Sequence, residues 1–180
     1  MNQALFIKLQ EGRKRYQAER TKRRLVHEKE LFDSGVNDIG KLGERELFLV
    51  GIALYWAEGF KHKDESGLGL ATLDSKMAKF YVSWLEKCLN VRREDLLLRV
   101  TANIAYKNKV DEMERRWADI LGVELNQFHK PFFQKTKQIK VYENADRYIG
   151  VVRIRVRRGL DQLRKMRGWM AGLAQARIEW

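Results

Sequence analysis

The sequence is poor in the residues that staple or break a chain. Among its 180 residues there is one cysteine, Cys88, and one proline, Pro131. A single cysteine excludes an intramolecular disulfide framework and a cysteine-built zinc site, and it suits a reducing compartment, so a cytoplasmic, nucleoid-associated location is the expectation. Long apolar runs are missing as well. The longest, Leu47 to Ala57, falls far short of the ~20 residues of a spanning helix, and Met1 to Leu9 does not read as a secretion signal. His27, His62 and His129 stand apart without a ligand-spaced partner, and no phosphate-binding glycine loop is present.

What is abundant is positive charge. Lys and Arg number 36 against 24 Asp and Glu, a formal net charge of +12, while 44% apolar residues suffice for a core. Such a chain is drawn to polyanions before any specific contact forms, which makes nucleic acid the leading partner class. The charge is unevenly placed: residues 1 to 30 carry a net +5, residues 31 to 126 a net −2 and residues 127 to 180 a net +9. Two basic surfaces are implied, flanking a middle of ordinary balance.

Residues 1 to 30 read as a helix rich in Lys, Arg, Glu, Gln and Ala, with its charge gathered in Arg13-Lys14-Arg15 and Lys22-Arg23-Arg24. The stretch Ser34 to Gly40 has turn chemistry and is expected to link this basic arm (1–40) to a main domain (41–180). The main domain alternates element types. Helices are expected at about Gly43 to Glu58, from the cap Asp74 or Ser75 to Leu89, at Val110 to Leu121 before Gly122, and at Leu160 to Leu173. Strands are expected at Leu68 to Leu73, Leu96 to Ala105 and Ile149 to Arg157, with 125 to 146 irregular. This predicts an α+β fold, a small antiparallel sheet covered by helices on one face.

Alternation in the strands gives each an apolar and a polar face. Leu98, Val100, Ala102 and Ile104 oppose Arg99, Thr101 and Asn103, and Val152, Ile154 and Val156 oppose Arg153, Arg155 and Arg157. Arginines repeated on one strand face repel each other, a conflict that an anionic ligand would remove. Arg, Asn and Thr are also the side chains that contact phosphates and base edges.

The segment Leu47 to Ala57 is apolar on all sides, so a second subunit is expected to help enclose it, with Leu47, Val50, Gly51 and Leu54 at a two-fold seam. Glu58 follows at the helix end, where the dipole disfavours a carboxylate unless a cation compensates. A divalent ion shared by two copies of Glu58 would do so, and so would Lys61, His62 or Lys63.

Glu46-Leu47-Phe48-Leu49-Val50-Gly51-Ile52-Ala53-Leu54-Tyr55-Trp56-Ala57-Glu58-Gly59 resembles the motif helix of LAGLIDADG-type homing endonucleases, in a single-motif branch. Thr72-Leu73-Asp74-Ser75, Gln127 to Pro131 and Gly150 to Val156 resemble the same branch in the same order, so the likeness spans Glu44 to Leu173. It implies a homodimer whose curved sheets lie in the DNA major groove, with Mg²⁺ held by an acid from each motif helix. That acid is Glu58, and Gly51 and Gly59 match the motif glycines. Lys130, Lys135 or Lys137 is the implied basic group near the cut, with Gln134 a candidate for placing a water; Arg99, Thr101, Asn103, Lys137, Arg153, Arg155 and Arg157 are the expected DNA contacts. The family's usual Asp-Gly ending is here Glu-Gly. Related scaffolds also serve as regulators that cut nothing and as RNA-binding splicing helpers.

Overall fold

The structure, a computed structural model, describes residues 3–135 and 148–176. The chain divides into two compact units, Met1–Gly43 and Glu44–Trp180. The first is a single helix, α1 (Gln3–Ile39), of 37 residues. It runs straight through Ser34 to Ile39, where a linker was expected. Gly35 costs a helix only about 1 kcal/mol and no proline interrupts it, while the Lys29–Asp33 pair (2.5 Å) bridges one turn to the next. The stop comes at Gly40, whose φ of 55° is a left-handed conformation that favours glycine, so the connection shrinks to Gly40–Gly43.

The second unit is α+β: α2 (Glu44–Glu58), β1 (Gly69–Thr72), α3 (Ser75–Leu89), β2 (Leu96–Asn103), α4 (Val110–Leu121), β3 (Phe132–Gln134), β4 (Val151–Val156) and α5 (Leu160–Ala174). Local chemistry sets several of these boundaries. The Asp74 carboxylate accepts from the backbone N–H groups of Lys76 and Met77 and opens α3; Gly122, at φ 62°, closes α4. The strands form one sheet in the order β1-β4-β2-β3. β4 runs antiparallel to both β1 and β2, but β3 pairs parallel with β2, so the sheet is mixed and not purely antiparallel. β3 has three residues, too few to show alternation, and it falls in a stretch expected to be irregular. What fixes its approach is Gln127. This buried side chain donates to the carbonyls of Arg93 (2.7 Å) and Leu96 (2.8 Å) and accepts from the N–H of Glu124 (2.9 Å), tying the turn before β3 to the start of β2.

The period of two places Leu70, Leu98, Val100, Ala102, Val152, Ile154 and Val156 in the core on one side of the sheet, where α2, α3, α4 and α5 supply Ile52, Tyr55, Tyr81, Trp84, Trp117 and Met166. α2 is held to α3 by one close approach. Gly51 lies under the fully buried Trp84 ring, so that a Cβ on Gly51 would meet the indole Nε1 at 1.9 Å. The same Nε1–H donates to the Phe48 carbonyl (3.3 Å).

At Gly51 this differs from the expected seam. Gly51 is buried by its own chain, and Leu47 and Leu54 pack against the same core; of the four seam residues only Val50, 43% exposed, faces outward. The difference at Gly51 arises because an all-apolar sequence hides which side the domain itself covers. The outward stripe of α2 is instead Val50, Ala53, Trp56 and Ala57. Gly51→Leu is therefore expected to unfold the domain rather than separate subunits, with a loss of at least about 1–3 kcal/mol from overpacking against Trp84. Denaturant titration checks this; wild-type stability of that variant would show that Trp84 does not occupy the site.

Candidate nucleic-acid interface

The uncovered face of the sheet carries Leu97, Arg99, Thr101 and Asn103 from β2 with Val151, Arg153 and Arg155 from β4. Register fixes the neighbours. Arg99 stands directly opposite Arg153, and Arg155 opposite Leu97 on one side and Gly69 on the other. Gly69 is small by necessity, since a Cβ there would come within 2.9 Å of the Arg155 side chain and 2.4 Å of a backbone oxygen. Arg99, Arg153, Arg155, His129, Leu97 and Leu98 line a recess of about 290 Å³.

The repulsion expected among these arginines is met in part by the chain itself. After α2 the backbone joins the β1 edge, with Gly59 bridged to Leu70 and the Phe60 N–H donating to the Gly69 carbonyl (2.9 Å). The Tyr55 hydroxyl donates to the Phe60 carbonyl (2.6 Å), and burial, followed by the charge of Glu65, pushes its pKa up to about 12. From that edge the following loop brings Glu65 onto the arginine face. Glu65, 17% exposed, accepts from Arg155 (2.5 Å) and Arg153 (3.3 Å), and Arg155 also reaches the Ser66 hydroxyl (3.3 Å). The Arg153 guanidinium lies over the Phe60 ring at 4.0 Å, a cation–π contact. Burial and then the neighbouring Arg155 lower the pKa of Arg153, yet a guanidinium stays charged at any ordinary pH. Its Nε is buried without a partner. One carboxylate thus serves two arginines, and Arg99 is exposed without an ion pair among the described residues.

Several expected contacts are placed otherwise. Arg157 lies beyond β4, in the turn leading to α5, because β4 ends at Val156. Asn103 ends β2 with its Oδ1 accepting from the Ala105 N–H (3.0 Å), which starts a 3₁₀ turn where the strand was expected to continue to Ala105. Thr101 is half-buried on the outer face beside Phe132, which is 54% exposed. Lys137 lies outside the described residues.

Glu58 is the last residue of α2 and is exposed. The helix end is compensated not through this carboxylate but by Lys61, whose Nζ donates to the carbonyls of Trp56 (2.5 Å) and Ala57 (3.1 Å). Glu58 itself has no ion pair among the described residues. Lys130, Gln134 and Lys135 are exposed at or beside β3, which forms the opposite edge of the sheet from β1. Gln134 sits in register with Asn103. Four strand spacings, on the order of 19 Å, separate that edge from the Gly59 bridge. One protomer therefore does not bring Glu58 together with Lys130, Gln134 and Lys135. Among the described residues no group of three or more His, Cys, Asp or Glu side chains is placed to hold a metal ion, and no helix is long and apolar enough to cross a membrane.

Sequence reasoning missed Phe60 and Glu65, which sit in a loop with no periodicity to mark them. Their role comes from the edge pairing of Gly59 and Phe60. Glu65→Gln keeps the side chain's size but removes the internal anion. It is expected to lower stability by about 1–3 kcal/mol, as for a hydrogen bond to a charged group. It is also expected to raise affinity for duplex DNA and steepen the salt dependence by about 0.9 for each arginine that gains a phosphate. Fluorescence anisotropy across a salt series measures both; unchanged affinity and slope would mean that these arginines meet no polyanion. No family model, curated protein or solved structure matches this chain.

Proposed function

We propose that the Glu44–Trp180 unit binds double-stranded DNA along the uncovered face of its sheet, and that it does so as a homodimer of the LAGLIDADG type. The observation that carries this reading is the arginine face: Arg99, Arg153 and Arg155 converge on one recess, with Glu65 the one carboxylate paired to them among the described residues. A twisted ribbon of two or more strands fits the major groove, where arginine pairs with guanine or phosphate. Thr101 and Gln134 add polar groups that contact bases or phosphates on the same surface.

The dimer reading is supported by the exposed apolar stripe Val50, Ala53, Trp56 and Ala57 on α2. Small residues at Ala53 and Ala57 let a second helix approach closely, and Trp56 offers a large apolar contact. The seam thus moves about a quarter to half a turn from the positions that the sequence pattern favoured.

The nuclease reading rests on Glu58, an exposed carboxylate at the C-terminal end of the same helix with no ion pair among the described residues. Mg²⁺ binds one or two carboxylates and fills its remaining positions with water and phosphate oxygens, so a single Glu58 from each subunit fits the ion only beside bound DNA. The ion would supply charge stabilisation at the scissile phosphate and activate water. Glu58 would hold it, while the arginine face would fix the phosphodiester. Lys130, Gln134 and Lys135 belong in this reading to the far edge of the same DNA-facing surface.

Glu58→Gln is expected to leave duplex affinity within about twofold of wild type and to abolish cleavage with Mg²⁺. Footprinting without cleavage by the wild-type protein would favour a regulator, and equal cleavage by the variant would remove Glu58 from the chemistry. Preference for structured RNA over duplex DNA would favour a splicing helper. Ala53→Glu is expected to convert a dimer to a monomer while the fold is retained; sedimentation that remains dimeric would place the seam elsewhere.

A further inference from the structure

Helix α1 has a charge pattern that the sheet face does not explain. Every described side chain of residues 6 to 43 is exposed. Within Arg13 to Arg24 there are seven basic residues and one acid, Glu19, a net charge of +6 over three turns. Ion pairs relieve only part of it. Arg15 meets Glu11 (3.6 Å), Arg23 meets Glu19 (3.1 Å) and Arg24 meets Glu28 (3.4 Å), whereas Arg13, Lys14, Arg20 and Lys22 have no ion pair among the described residues. A helix that needed only solubility would mix its signs, because like charges at i, i+4 destabilise it. We propose that the 13–24 segment of α1 is a second duplex-DNA-binding element, one that lies in the major groove independently of the sheet.

Three features fit a groove rather than another anionic surface. The first is density. Twelve residues rise about 18 Å, so the net charge of +6 amounts to one per ~3 Å, close to the ~3.4 Å per phosphate of one DNA strand. The second is distribution. Gln10, Lys14, Gln17, Thr21 and Arg24 follow at i, i+4, i+7, i+11 and i+14 and form one polar stripe, flanked closely by Arg13 and Arg20 on one side, while Arg15 and Lys22 lie farther round on the other, toward the back of the helix. A helix about 10–12 Å across fills a major groove about 12 Å wide, so its stripe faces base edges, Arg13 and Arg20 meet one phosphate wall, and the long Arg15 and Lys22 side chains extend toward the other. The third is what the segment lacks. A membrane-surface helix needs a broad apolar face opposite its charge, but Tyr16 and Ala18, the only apolar residues from 13 to 24, point well away from each other. The deep, narrow major groove of A-form RNA does not admit a helix, which makes B-form DNA the partner.

The test uses the full chain and a labelled DNA duplex of about 30 base pairs. Arg13, Lys14, Arg20 and Lys22 are replaced together by Gln, which keeps helix propensity, and circular dichroism confirms that the helix content is retained. The quadruple variant is expected to bind more than tenfold more weakly at about 150 mM salt, with the log–log salt slope reduced by about 0.9 for each lost contact. Wild-type affinity and slope would overturn the proposal. An Arg99→Ala variant separates it from the sheet reading. Weakening by Arg99→Ala alone overturns the α1 element and leaves the sheet interface standing; weakening by the quadruple variant alone supports α1 and overturns the sheet. Two competitors complete the test. If an RNA duplex displaces the DNA as well as unlabelled DNA does, the groove assignment falls. If the quadruple substitution abolishes binding to phosphatidylserine vesicles but leaves DNA affinity intact, a membrane surface is the partner and the proposal is overturned.

Discussion

The seating of Trp84 over Gly51 decides how the rest of the second unit is presented. The indole fills the space where any larger residue on α2 would place its side chain, and it fixes one side of that helix against α3. With that side committed, Val50, Ala53, Trp56 and Ala57 are turned outward and the C-terminal end of α2 is delivered to the β1 edge. There Gly59 and Phe60 add to the sheet, and the Tyr55 hydroxyl pins the Phe60 carbonyl. Both the exposed apolar stripe and the loop that carries Glu65 are consequences of this one packing contact.

The arginine face shows how a small sheet tolerates like charges. The covered side is apolar but for Thr72 and packs against the four α-helices described in the unit, so the charged residues of the strands fall on the open face. Arg99 and Arg153 face each other across the β2–β4 pair, an arrangement unfavourable in isolation. Glu65 and the Phe60 ring offset part of that cost by holding Arg153 and Arg155. The result is a preorganised set of donors whose positive charge is only partly neutralised. Preorganisation of this kind lowers the conformational cost of receiving an anion.

The two units separate their duties by composition. α1 carries dense, exposed charge on a helix whose described side chains are all exposed, while the Glu44–Trp180 unit has a core and a structured basic face. Both carry exposed positive charge, one as a dense run along a helix axis and the other in register across a sheet.

Much of the architecture is written locally. Asp74, Gly122 and the alternation of Leu98 to Asn103 and Val152 to Arg155 are short-range signals, and they mark α3, α4, β2 and β4 because capping and the two-residue strand period act within a few residues. The basic arm and its charge are equally evident in sequence. Only tertiary structure decided which side of the all-apolar α2 is covered, that the short β3 pairs parallel to β2, and that Glu65 closes on Arg153 and Arg155 from 88 and 90 residues away. Each of these depends on partners distant in sequence, and a pattern of residue types records that a side chain needs a partner without recording which one it finds.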